Sequence, residues 1–237
     1  EKTLPLLSKP PSLVPGGSAC STIVGVSNLG GKARFVGKCG KGEMGQFFEN
    51  DLRRQNVEPS LLRSDSPTGR VLSIITPDAQ RSMFTYLGAS AETKPQDISI
   101  NFFSDKAIVH IEGYLLFNPE LILKVLKTAK SAGARVSLDL ASFNVVKESR
   151  EQLQHLVKSY VDILIANEDE ALAYTGHKDE ANAIQALAKD VEIAVLKVGQ
   201  RGSFISRGDQ IVPIQPKTGA PIIDTTGAGD LWAAGFL

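Results

Sequence analysis

Apolar and polar residues follow two different periods along this chain, and the two alternate. "AIVHIEG", "RVSLDL", "VDILIA" and "EIAVLKVG" are short, almost uncharged runs rich in Val, Ile and Leu. Such runs predict strands buried on both faces, as in a parallel sheet. Between and beside them lie "PELILKVLKTAKSAG", "FNVVKESREQLQHLV", "EDEALAYTG" and "EANAIQALAKD", whose apolar positions recur at helical spacing. Alternating strands and amphipathic helices predict an α/β fold, a mostly parallel central sheet with helices on both faces.

The stretch ahead of that rhythm reads differently. Pro5, Pro10, Pro11 and Pro15 make the chain through Pro15 irregular. Small and apolar residues from Ser18 to Leu29 predict a tightly packed helix ending at Gly30-Gly31. "ARFVGKCG" reads as a short strand, and "MGQFFENDLRRQN" as a helix with Phe47, Phe48 and Leu52 on one face. Two β-prone runs flanking "PDAQ" predict a hairpin within residues 68–90, either an edge excursion or a lid. At 237 residues and 42% hydrophobic composition the chain supports a sizeable core.

Composition narrows the function classes. Lys plus Arg and Asp plus Glu both total 26. That balance argues against a nucleic-acid protein, which needs a basic surplus. No apolar run approaches the ~18 residues of a membrane span. Cys20 and Cys39 make no disulfide framework or metal-ligand spacing, so a reducing, cytoplasmic setting is expected. His110, His155 and His177 share no metal-like spacing.

Chemistry concentrates in four segments. In "DTTGAGD" the backbone can turn freely at Gly227 and Gly229, and their amides, with that of Ala228, can converge on an anion. The following "LWAAGFL" predicts a helix N-terminus, which adds partial positive charge. Asp230 then faces the nest, where a carboxylate is repulsive unless a substrate hydroxyl intervenes and gives up its proton. In "ILIANEDEA", Asn167 and Glu170 open a helix after a strand. They suit a capping box, or alternatively a phosphate-bound, hydrated magnesium. In "LKVGQRGSFI", Lys197, Gly199 and Gly202 follow a strand, where glycines permit approach of nucleotide phosphates or simply a β-turn. In "VPGGSACSTIVGVSNLGG", Gly16 and Gly17 precede a helix and allow either close packing or approach of a polyhydroxyl ligand. Neither a Walker lysine motif nor a convincing dinucleotide fingerprint occurs.

These segments, in this order, resemble the ribokinase-like (PfkB) family of sugar and nucleoside kinases. "PGGSACSTIVGVSNLGG" is similar to its di-glycine signature, and "GKCGKGEMGQFFENDLRRQNV" to its next strand and helix. "TGRVLSIITPDAQRSMFTYLGAS" is similar to its substrate-covering lid, "NEDE" to its N-x-x-E motif and "DTTGAGD" to its C-terminal signature. The resemblance implies one kinase domain over residues 1–237 that uses ATP and Mg²⁺ on a hydroxyl of a small sugar, with a nucleoside such as adenosine as the alternative acceptor and a non-catalytic ligand-binding homologue as a further alternative. It makes Asp230 the catalytic base and Gly227, Ala228 and Gly229 the anion hole. Asn167 and Glu170 would govern magnesium and phosphate, Asp224 and Thr226 a monovalent cation such as K⁺, and Gly16 and Gly17 would lie against the substrate. Serine at Ser21 replaces the asparagine usual in the family at this substrate-contacting position. By the family's pattern the chain also lacks the opening strand and the helices after "DTTGAGD", which implies incompleteness at both ends. A homodimer formed through the lid is a further expectation.

Overall fold

The computed structural model describes residues 12–76, 81–217, 219 and 224–237, which form two compact units. The smaller comprises Glu1–Ser90 with Gly229–Gly235, and the larger Ala91–Ala228 with Phe236–Leu237.

In the smaller unit, α1 (Ser18–Asn28) leads into β1 (Ala33–Gly40), α2 (Glu43–Arg54) and β2 (Val57–Ser64). β1 and β2 pair in parallel through the α2 crossover, from Ala33 opposite Val57 to Gly40 opposite Ser64. Their core gathers Cys20, Ala33, Leu52 and Val57, with Phe35 and Phe48 packed edge to face at 5.5 Å. Antiparallel β3 (Arg70–Ile75) and β4 (Arg81–Tyr86) form the expected hairpin; its "PDAQ" connection lies outside the described residues. The last helix, α8 (Ala228–Phe236), lies against α1 at Gly25, where an added Cβ would stand 2.6 Å from the Ala234 Cβ.

The larger unit carries the alternating rhythm. Its elements run β5 (Ile108–Glu112), α3 (Pro119–Ser131), β6 (Arg135–Asp139), α4 (Phe143–Glu148), α5 (Arg150–Tyr160) and β7 (Ile163–Asn167). Then follow α6 (Glu168–Thr175), α7 (Glu180–Ala188), β8 (Ile193–Lys197), β9 (Ser203–Arg207) and β10 (Gln210–Ile214). Among the described residues these strands form one six-stranded sheet in the order β10-β9-β8-β7-β6-β5, parallel from β5 to β8. The α/β expectation with a mainly parallel sheet is borne out.

Alternation sorts the strand side chains onto two faces. Val109, Ile111, Val136, Leu138, Leu164, Ala166, Ala194 and Leu196 point one way and join a core with Ile122 and Leu126 of α3, Leu153 and Val157 of α5, and Ile184 and Leu187 of α7. The strand registers put His110 and Glu112, Ser137 and Asp139, Ile163, Ile165 and Asn167, and Val195 and Lys197 on the opposite face. That face is apolar at its middle and polar at the C-terminal strand ends.

Besides β2, which the sequence reading left unassigned, two features of the larger unit depart from it. The helix expected across "FNVVKESREQLQHLV" breaks at Ser149: α4 packs on α6, and α5 packs on both α3 and α6. The β9–β10 hairpin, turning at Gly208-Asp209, adds an antiparallel edge that the reading left unassigned; Gly208 has φ of +58°. Its glycine-containing two-residue turn between β-prone runs is hairpin chemistry.

The Gly25 contact makes a direct test of α1–α8 packing. Gly25→Val should lower Tm, at a cost of about 1–3 kcal/mol or more for overpacking. An unchanged thermal unfolding midpoint would contradict that packing.

Candidate active site

The C-terminal end of the parallel sheet in the larger unit collects the polar cluster. β7 stops at Asn167 because its side chain turns into the N-cap of α6. Asn167 Oδ1 accepts from the Glu170 backbone N–H at 2.9 Å, while Glu170 Oε2 accepts from the Asn167 backbone N–H at 2.8 Å. Asn167 Nδ2 also donates to Glu170 Oε1 at 2.8 Å. This is a complete capping box, so the capping reading of "NEDE" holds. Asn167 is exposed and Glu170 is buried.

The charges around Glu170 are crowded. Burial, reinforced by the Asp139 and Glu112 charges, pushes its carboxyl up to about 7 against the opposing pull of the Asn167 N–H and Lys197. Lys197 Nζ donates to Asp139 Oδ2 at 2.7 Å, joining β8 to β6. On β5, His110 Nδ1 lies 3.0 Å from Ser137 Oγ, and Nε2 lies 3.5 Å from Glu112 Oε1.

Asn167 and Glu170 offer hard oxygen donors, the chemistry magnesium prefers. Both carboxylate oxygens of Glu170 already accept hydrogen bonds from Asn167, so the pair fits a magnesium ion held through its water shell.

The two glycines after β8 separate in role. Gly199 has φ of +58°, and a Cβ there would meet nothing within 4 Å, which leaves its backbone open to a ligand. At Gly202, with φ of +98°, a Cβ would sit 2.0 Å from the Ile214 carbonyl oxygen. Gly202 is therefore required by the close passage of β10. Arg201 between them pairs with Glu180 at 2.5 Å and with Glu168, tying the loop to the starts of α7 and α6.

In the smaller unit, Gly17 is the N-cap of α1 with φ of +108°, and a Cβ at Gly16 or Gly17 would meet nothing within 4 Å. Packing therefore does not require either glycine. Ser21 donates its backbone N–H to the Gly17 carbonyl at 2.8 Å and is partly exposed.

In the "DTTGAGD" turn one expectation needs correction: the Ala228 N–H donates to the Thr225 carbonyl at 3.1 Å, closing the turn, so that amide is engaged and does not point at an anion. Asp224 Oδ1 accepts from the Thr226 N–H at 2.8 Å, and Gly227 takes φ of +74°. α8 starts at Ala228 and continues through Gly229 to Asp230, a partly exposed residue in its first turn.

The sequence reading missed Glu112 and Asp139. Each closes an apolar strand run, "HIEG" and "LDL", and the carboxyl ends of parallel strands are where ligands gather. That position was the available signal.

Comparison with known proteins gives this geometry its setting. Residues 4–237 match the pattern of the pfkB family carbohydrate kinases. The chain belongs to the pfkB family of carbohydrate kinases. It shares with them the reaction class of ATP-dependent phosphoryl transfer to an alcohol. The adenosine kinase of Sinorhizobium meliloti is 36% identical, with a TM-score of 0.84 over 93% of this chain and 69% of that one. A probable sugar kinase from Rhizobium etli CFN 42 is also 36% identical, with a TM-score of 0.86 over the same shares. Probable fructokinase-4 of Arabidopsis thaliana is 25% identical over 94% of this chain and 72% of its own length.

The raised Glu170 carboxyl has a stability consequence. Its folded value, about 7, lies above the ordinary 4.5. The folded state therefore holds a proton that the unfolded state has lost, and this contribution is full below pH 4.5 and lost as pH rises to 7. Glu170→Gln should flatten the fall of Tm with pH across that window. Parallel Tm curves for parent and variant would contradict the assignment.

Proposed function

We propose that this kinase transfers the γ-phosphoryl group of ATP to a hydroxyl of a small sugar, with Asp230 as the general base. The observation that supports the reading most is the "DTTGAGD" turn, with its positive-φ glycine opening directly into α8 and Asp230 in the first turn. As the acceptor oxygen bonds to the γ-phosphorus, its proton passes to the Asp230 carboxylate, and ADP departs with the electrons of the broken P–O bond. The amides of Gly227 and Gly229 stabilise charge on the group in transfer, while the Ala228 amide closes the turn on the Thr225 carbonyl. Asn167 and Glu170 orient the water shell of magnesium, which would neutralise phosphate charge when bound. Gly199 leaves room for the nucleotide, and Gly16, Gly17 and Ser21 face the acceptor. Asp224 and Thr226 would hold a potassium ion, whose positive charge would support the neighbouring turn.

Asp230→Asn keeps the turn and the helix but removes the base. Turnover should fall on the order of 10²–10⁴-fold, the usual worth of general-base catalysis, with ATP affinity little changed. Near-normal turnover would overturn the role of Asp230. In the same assay, potassium should sustain a higher rate than a bulky organic cation at equal ionic strength; equal rates reject the potassium site.

The 36% identity to an adenosine kinase supports a second reading, a nucleoside acceptor. The Tyr86 ring bears on the choice: it lies 5.9 Å from the Arg70 guanidinium carbon of its paired strand and is 49% exposed, so it can serve the hairpin or stack on a base. In our reading the hairpin is a lid over the acceptor. Val71, Ile75, Met83, Phe84 and Leu87 expose apolar surface on it, which suits a second copy of the chain and is testable by sedimentation. Tyr86→Ala should lower kcat/KM for sugars and adenosine alike. A parent that strongly prefers adenosine, with the preference gone in the variant, would establish the nucleoside reading instead.

A further inference from the structure

Lys197 ends β8, beside the loop expected to meet nucleotide, yet its ammonium is engaged elsewhere. It donates to Asp139 at 2.7 Å across 58 residues of sequence, and the two side chains are only 16% and 9% exposed. β7 runs between their strands. Neighbouring strands lie ~4.8 Å apart, so the lysine stem stretches sideways over β7 toward Asp139. Asp139 is held from its other side as well: Oδ1 accepts from the Ala141 N–H at 3.0 Å. Ala141 takes φ of +61°, and a Cβ on Gly113 would stand 2.3 Å from the Leu140 carbonyl oxygen, so the chain after β6 has little freedom to shift.

A nearly buried ion pair is a poor source of stability, because desolvating both ions offsets their attraction. Its effect here is on the balance of charge. Glu112, Asp139 and Glu170 are three acids at one sheet end, and both Asp139 and Glu112 act electrostatically on Glu170. Lys197 opposes them at close range. Without it, the ionised Asp139 would repel any polyphosphate brought to the neighbouring loop.

We infer that Lys197 is a positioning residue acting through Asp139: it neutralises that carboxylate so that the sheet end can receive a polyphosphate, and makes no direct bond to the nucleotide. The inference rests on the proposed binding of ATP at this sheet end.

Titration calorimetry of ATP at fixed magnesium, on the parent, Lys197→Met, Asp139→Asn and the double variant, tests it. Lys197→Met should weaken ATP about tenfold or more, the scale of one uncompensated charge at intermediate dielectric. The double variant, which removes both charges together, should bind within about threefold of the parent. Should Lys197→Met fail to fold, Lys197→Gln and its double variant with Asp139→Asn take its place. A double variant as weak as the single, or weak by itself, makes Lys197 a direct ligand and overturns the inference. Equal affinity in all four proteins, with only Tm altered, makes the pair purely structural and overturns it too. Absence of ATP binding by the parent overturns the kinase reading and this inference with it, whereas a loss confined to the double variant overturns this inference alone.

Discussion

Strict alternation of side chains along the strands is the constraint on which the larger unit depends. Burying Val136, Leu138, Leu164, Ala166, Ala194 and Leu196 against α3, α5 and α7 fixes which way every strand faces. A slip of one residue would bury Asp139 or Lys197 among those aliphatic side chains. The register that serves the core therefore also presents Glu112, Asp139, Asn167 and Lys197 together on the other face. Site and core are two outcomes of one choice of register.

At the end of β7 the backbone requirement and the chemistry use the same atoms. α6 opens with N–H groups that lack intrahelical partners, and Asn167 and Glu170 satisfy each other there. A carboxyl fixed in this way and largely buried is poised by its neighbours. Reading "NEDE" as either a cap or a functional motif set up a choice that the geometry does not require. The cap orients the carboxyl, and an oriented carboxyl can still accept hydrogen bonds from magnesium-bound water.

The glycines make a similar point by contrast. At Gly202 and Gly25 the missing Cβ is a packing necessity, set by the Ile214 carbonyl and by Ala234. At Gly16, Gly17 and Gly199 no neighbour demands it. In the proposed reaction the open backbone at Gly16, Gly17 and Gly199 serves an incoming ligand, whereas Gly30, Gly133 and Gly208 are equally uncrowded and only turn the chain. Identity of residue type thus conceals distinct roles.

Local periodicity was enough to read the strands β5 to β8, the helices between them and the turn into α8, because each rests on contacts close in sequence. The spacing of "NEDE" and "DTTGAGD" likewise pointed to Asn167, Glu170 and Asp230, since caps and glycine turns are written within a few residues. Other features depend on partners far along the chain. The break at Ser149 accompanies the packing of α4 on α6 and of α5 across α3 and α6, elements distant from it in sequence. The need for Gly202 follows from β10 passing close by, and the engagement of Lys197 by Asp139 joins strands 58 residues apart. Glu112 and Asp139 lay unmarked in the sequence because a single acid at a strand end has no local signature. Only the parallel pairing of β5 through β8 brings those ends into one row, and that pairing was decided by the tertiary burial of the opposite face.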